Sequence, residues 1–442
     1  MSRRSIAAFA GALLAAVATT IPAVSAGAAT FGAGSSGPIT LTLESYMPTI
    51  SATGTATLNS MVSTFEQSHP NIKVTVNGEA STNIAADVQR QEVAGQTPDV
   101  VQVVFDSMNF AINDLGAVSL EKIAGPAAVK AAFGGDHPFT AAAAKLGEYK
   151  GKTYGIPWTL STPILFYNAS LFQQAGLDPN SPPKTWDEVV TDADAIKTKT
   201  GAEGLSAGVA GVSSGSNDCF LQAAIDSDGG SVLAKNGKTV TFNTRAVANA
   251  LEPFRKMAQA GSLANLTTSQ IAQEFGSNKL GMVFTSSALQ STLLTAAGDK
   301  FIVMDAAMPS YAGHAPKPVN SGSGLFIFTK DKAKQKAAWE LIKSLTDDAS
   351  QTAITENIGY PPLRTSLVND DKYLKSWKHT STLVIPNINQ LQIVTPWAAY
   401  PGPNFTQIET DLVNAAGDVV FQGSNAQRAL GQAESQAKEL SA

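Results

Sequence analysis

Residues 153–190 read TYGIPWTLSTPILFYNASLFQQAGLDPNSPPKTWDEVV, and this run narrows the possible folds more than any other. Trp158, Thr159, Ser161 and Thr162 lead into the apolar strand Ile164-Leu165-Phe166-Tyr167. A helix is expected over 169–175, stopped by Gly176-Leu177-Asp178-Pro179. Thr185 and Glu188 then have capping-box spacing for a helix starting at Trp186. Strand, helix, stop and helix start in one run point to layered α/β architecture.

The same alternation extends on both sides. Strands are expected over 39–44, 72–76 and 99–104, with helices over 56–66, 84–93 and 108–115 between them. Such an order predicts mostly parallel sheets covered on both faces. A crossing strand at 153–157 opens a second region. Its helices are expected at 186–197, 217–227, 246–260, 269–275 and 288–296, and its strands at 281–284 and 301–304. A strand at 325–329 and a helix at 333–345 follow, then two amphipathic helices at 406–421 and 425–440. At 442 residues the chain exceeds one ordinary core, so two domains are expected.

Charge excludes several partners. Net charge is −5, with 31 basic side chains against 36 acidic, and it becomes more negative once Arg3 and Arg4 are set aside. With no long basic run, neither nucleic acid nor an anionic membrane is an expected partner. Arg3-Arg4, the apolar run 6–16 and Val24-Ser25-Ala26 match the three parts of a secretory signal over 1–26, followed by a flexible linker over 27–37. The apolar run is too short to span a bilayer, so no membrane insertion is expected. Cys219 is the single cysteine, which precludes an internal disulfide. It is read as a buried small hydrophobe. No Cys follows the leader to carry a lipid, so a periplasmic or secreted protein is expected.

Several motifs suggest chemistry and fit it poorly. Gly151-Lys152-Thr153 and Gly237-Lys238-Thr239 lack the full phosphate loop: Gly147 stands one residue too close to the first, and Val232 occupies the required glycine position of the second. Both read as polar turns. Gly211-Val212-Ser213-Ser214-Gly215 matches the nucleophile elbow of hydrolases, with His379 downstream, but no oxyanion-hole loop is evident. A Gly/Ser loop lining a cleft accounts for it equally well. His69, His137, His314 and His379 show no metal-ligand spacing, so no metal or cofactor is expected. A glycosidase pair among the many carboxylates is not testable by spacing.

Beside these residues stands a family resemblance. The 153–190 block resembles the extracellular solute-binding proteins of ATP-driven importers, in the branch for sugars and glycerol phosphates. Phe275–Met282, Asn320–Leu325 and Ile358-Gly359-Tyr360-Pro361-Pro362-Leu363-Arg364 resemble three further segments of that family, in the expected order. The resemblance implies a type II, Venus-flytrap periplasmic binding protein fold with two discontinuous lobes, 38–152 with 310–355 and 153–309 with 356–442. It implies a monomer that binds a small carbohydrate or glycerol-phosphate ligand and docks on ABC permease subunits, without catalytic residues. Ser161, Ser286 or Ser287, Gly322 and Tyr360 fall on ligand-contacting positions of the glycerol-phosphate branch. Ser81 stands where a Tyr is usual and Phe105 where a Glu is usual, with Asp106 adjacent. Val209 and Val212 replace the two cleft tryptophans. Ala399-Tyr400-Pro401-Gly402 lacks the arginine that grips phosphate, and Arg364 is either a substitute or a surface cap. A phosphate needs such charge-assisted donors, so a neutral polyhydroxylated ligand is favoured over a phosphoester. Tyr46, Trp158, Tyr360, Trp397 and Tyr400 are the aromatic candidates for a sugar face, with core packing the alternative for Trp397 and Tyr400. Ser161, Ser286, Ser287, Asp106 and the Gly322 backbone are the polar candidates. The competing classes are a secreted serine or glycoside hydrolase and a surface adhesion module.

Overall fold

Strand formation follows the β-branched runs, and helices fill the intervals, as the alternation predicts. The computed structural model describes residues 37–212, 217–380, 383 and 385–441. The proposed signal 1–26, nearly all of the linker, and Ser213–Gly215 of the elbow-like motif lie outside the described residues.

The first sheet contains β1 (Ile39–Ser45), β2 (Ile72–Gly78), β3 (Val100–Val104), β6 (Gly155–Ser161) and β12 (Ser321–Ile327). The second contains β7 (Pro163–Asn168), β8 (Glu203–Ala207), β9 (Leu263–Ala264), β10 (Leu280–Ser286) and β11 (Val303–Ala307). Their orders are β2-β1-β3-β12-β6 and β9-β8-β10-β7-β11, so both sheets share a second-first-third core. In each, four strands run one way and one, β12 or β7, opposes them. The sheets are therefore mixed: mostly parallel by strand direction, with both antiparallel pairings of each sheet made by its opposing strand.

Those opposing strands are exchanged. β6 at the edge of the first sheet runs through Thr162 directly into β7 of the second, and β11 at the edge of the second leads through 308–320 into β12 of the first. The strand expected at 153–157 to open the second lobe is thus a correction. β6 belongs to the first sheet, because all seven of its residues are buried there and it pairs with β12. A hairpin of β4 (Glu148–Tyr149) and β5 (Lys152–Thr153) precedes it. Its two turn residues, Lys150 and Gly151, both have positive φ, as a primed two-residue turn requires. The first Gly-Lys-Thr triplet is therefore a polar turn.

One core lies beneath the first sheet, where Leu41, Leu43, Phe65, Trp158, Leu325 and Leu341 pack with helices Ala52–Ser68 and Lys332–Leu345. Another, larger cluster surrounds Trp186, whose ring meets Phe254 at 4.6 Å and Phe284 at 5.0 Å between centroids. Such edge contacts contribute about 0.5–1.5 kcal/mol each beyond burial. The predicted capping box forms: Thr185 accepts from the Glu188 amide, and Glu188 reaches back to the Thr185 amide. Cys219 is buried. Among the described residues, no helix is long and apolar enough to cross a membrane.

Candidate functional site

Strands β1 and β3 end at Ser45 and Val104, and the chain then turns through Tyr46 and the short turn Phe105–Ser107. Helices Asn217–Ser227 and Phe405–Phe421 face this edge. Between them lies a cavity of about 380 Å³. The β1–β3 side supplies Ser81, Gln89, Asp106 and Phe110, and the facing helices supply Asp218, Phe405, Glu409 and Asn414. The rings of Phe110 and Phe405 meet across it at 6.0 Å. A position outside the carboxyl ends of strands is where open α/β sheets place ligands.

Three carboxyl groups dominate its electrostatics. Asp218 is 4% exposed. Trp397 Nε1 and Gln222 Nε2 each donate to its Oδ2 at 2.7 Å, and Tyr400 OH donates to Oδ1 at 3.0 Å. Burial nevertheless pushes Asp218 up to about 7, with the nearby Asp106 adding repulsion against those donors. Burial likewise pushes Asp106 up to about 6, against hydrogen bonds from Ser107. Glu409 is pushed up to about 11, by burial first and then by the charges of Asp106 and Asp218. Its Oε1 is sealed from solvent and finds no hydrogen-bond partner. No Lys, Arg or His is among the described residues lining the cavity. The described residues contain no cluster able to hold a metal ion.

Behind the cavity lies a buried hydroxyl network. Tyr46 OH bonds Thr159 Oγ1 at 2.9 Å and Ser323 Oγ at 3.1 Å, and Gln102 Nε2 donates to Ser323 Oγ at 2.8 Å. Tyr360 lies beside Tyr46. The crossings between sheets form a second polar cluster. Ser286 Oγ donates to Ser161 Oγ at 2.8 Å, and Ser161 Oγ donates to the Ser321 carbonyl at 3.2 Å. Thr162 Oγ1 donates to Asn387 Oδ1 at 2.9 Å and accepts from Gln390 Nε2 at 2.8 Å. A third crossing is pinned by the Val319–Thr395 bridge and by the Trp397 amide on Asn320 Oδ1.

The residues singled out from sequence therefore separate. Ser81 and Asp106 line the cavity. Tyr46 and Tyr360 sit in the hydroxyl network, while Ser161, Ser286, Ser287 and Gly322 sit at the crossings. Trp397 and Tyr400 hold Asp218. Phe105 and Trp158 lie inside the first core, Trp158 donating its indole N–H to the Leu345 carbonyl at 2.7 Å. Of the two valines at cleft-tryptophan positions, Val209 is buried and Val212 exposed. Arg364 is neither a phosphate grip nor a surface cap. It is buried, and its guanidinium donates to the carbonyls of Ala132, Gly134, His137 and Thr346.

Asp218 and Glu409 escaped the sequence reading, although each carried a signal. Glu409 stands four residues after Phe405 and three before Leu412, in phase with the buried stripe of its helix. Asp218 immediately precedes the largely apolar run Cys219–Ile225. A carboxyl placed in an apolar stripe is expensive unless it is paired or used.

Comparisons with known proteins place the fold. A family model for bacterial extracellular solute-binding proteins matches residues 60–381. A binding protein of Brucella abortus is 27% identical over 253 residues, 56% of this chain and 60% of that protein. The sn-glycerol-3-phosphate-binding periplasmic protein UgpB of Agrobacterium fabrum is 29% identical over 240 residues, 50% of this chain and 51% of its own. The chain thus spans between half and three fifths of the length of these curated relatives. Among solved structures, UgpB from Mycobacterium tuberculosis in complex with glycerophosphocholine superposes with a TM-score of 0.77 at 21% identity, covering 92% of this chain and 98% of that one. The cyclic α-maltosyl-1,6-maltose binding protein from Arthrobacter globiformis gives 0.76 at 19%, covering 91% and 99%.

Proposed function

This chain belongs to the bacterial extracellular solute-binding proteins, and on that premise we propose that its two lobes close on a small polyhydroxylated solute and deliver it to an ABC importer. The first lobe comprises residues 38–161 with 321–380, and the second 163–319 with 397–441. The protein acts as an exported monomer, performs no bond chemistry itself, and is recognised by permease subunits in its closed form.

One observation carries this reading: a cavity walled from both lobes by hydroxyl, amide and carboxyl groups, with aromatic rings between them. Its 380 Å³ is near the lower end of small-molecule sites, which suits one or two sugar rings. A hydroxylated solute bridging the walls adds contacts that the open form lacks, and that difference drives closure. Of the two solved neighbours, one is a cyclic α-maltosyl-1,6-maltose binding protein and the other is in complex with glycerophosphocholine. A phosphoester is disfavoured here, because the described lining residues offer three acids and no cation, and Arg364 is committed to backbone carbonyls.

A thermal-shift screen against sugars, polyols and glycerophosphodiesters tests the proposal, with small-angle scattering on the hits. A solute at about a hundred times its Kd should add about 2.7 kcal/mol to stability and reduce the radius of gyration. Silence across the screen, or binding without any change in dimensions, refutes capture by closure. Turnover of chromogenic esters or glycosides would restore the hydrolase reading.

A further inference from the structure

We infer that the solute taken by this cavity carries a protonated amine beside its hydroxyls, as an amino sugar does. The inference rests on the capture reading and specifies its ligand.

The walls present Asp106, Asp218 and Glu409, and among the described lining residues nothing basic opposes them. The titratable groups around these three are Tyr46 at the end of β1, Cys219 beside Asp218, and Tyr400 on the last crossing. None of them supplies positive charge. Any charge that these groups carry is therefore negative. Two donors converge on Asp218 Oδ2, which opposes without overcoming the burial that favours its neutral form. Glu409 lines the cavity, and its carboxyl completes no hydrogen bond at Oε1 within the protein.

A hydroxyl could bond to these carboxyls but would bring no charge to stabilise their ionised forms. A phosphate would add to the repulsion. An ammonium supplies several N–H donors together with the missing counter-charge. Phe110 and Phe405 line the same space from opposite sides, and ring faces attract a desolvated cation. Burial and mutual repulsion hold the empty cavity's carboxyls in the protonated direction, so a cation entering it displaces protons to solvent.

The test is calorimetric titration of the full chain near neutral pH in two buffers of different ionisation enthalpy. The probes are the β-1,4-linked glucosamine dimer, cellobiose (the same skeleton with hydroxyls in place of the amines) and glycerol 3-phosphate. The amine dimer should bind about tenfold more tightly than cellobiose, about 1.4 kcal/mol, and should release protons on binding. Glu409→Gln and Asp106→Asn should each bring that ratio towards one. Cellobiose binding as tightly as the dimer, glycerol 3-phosphate binding tightest, failure of the dimer to bind, or a ratio unchanged in both variants overturns the inference. Each of these leaves capture by closure standing, which fails only if the wider stability and scattering screens are silent.

Discussion

Replacing Trp397 by Phe keeps a ring and removes one N–H, the donor 2.7 Å from Asp218 Oδ2. The indole is 6% exposed and the carboxyl 4%, so water cannot readily take the donor's place. Hydrogen bonds to charged groups contribute about 1.5–3 kcal/mol. Gln222 Nε2 remains on the same oxygen, which puts the expected loss near the bottom of that range, about 1.5 kcal/mol. The smaller ring also leaves a void, and the single variant mixes the two effects. A cycle with Asp218→Asn isolates the hydrogen bond. Urea unfolding of the four proteins at pH 8, above the value of about 7 to which burial pushes Asp218, should give a coupling of about 1–2 kcal/mol. At pH 5, where Asp218 is protonated, the coupling should shrink. A coupling below about 0.3 kcal/mol at pH 8, within the scatter of independent sites, would show that Trp397 does not hold this carboxylate.

Gly322 has φ +142°, and a Cβ there would lie 2.1 Å from the Thr159 carbonyl oxygen across the β6–β12 pairing. Gly322→Ala should cost about 2–5 kcal/mol in chemical denaturation, and an unchanged midpoint would contradict the close approach. Burial pushes Glu44, whose Oε1 has no partner, up to about 7 from 4.5. Its contribution is therefore complete below about pH 4.5 and lost as pH rises through 7, about 3 kcal/mol in all. Glu44→Gln should flatten the decline of stability between pH 5 and 8, and parallel curves for the two proteins would refute the assignment.

Much of the layered architecture was legible because its signals are local. The helix Ile84–Val93 and the capping box at Thr185 follow from spacing alone, and the apolar run 164–167 shows its strand directly. What spacing could not show is which sheet a strand joins. β6 is apolar enough for either, and only its pairing with β12, some 160 residues later, assigns it to the first. The candidate site divides in the same way. Asp106 could be reached from a family position, whereas Asp218 and Glu409 meet it only through tertiary packing of two helices far apart in sequence. Arg364 reads from sequence as a substitute phosphate grip or a surface cap, because the four carbonyl partners that bury it come from segments with no shared motif.

The exchanged strands also set a timetable for synthesis. Until residue 327 has emerged, β3 and β6 have no neighbour between them, and the first sheet keeps two open edges. A nascent chain of this design cannot finish its first lobe early, which suits a protein that must stay threadable before it crosses a membrane. For the same reason, neither lobe can be produced alone by cutting the gene at one place.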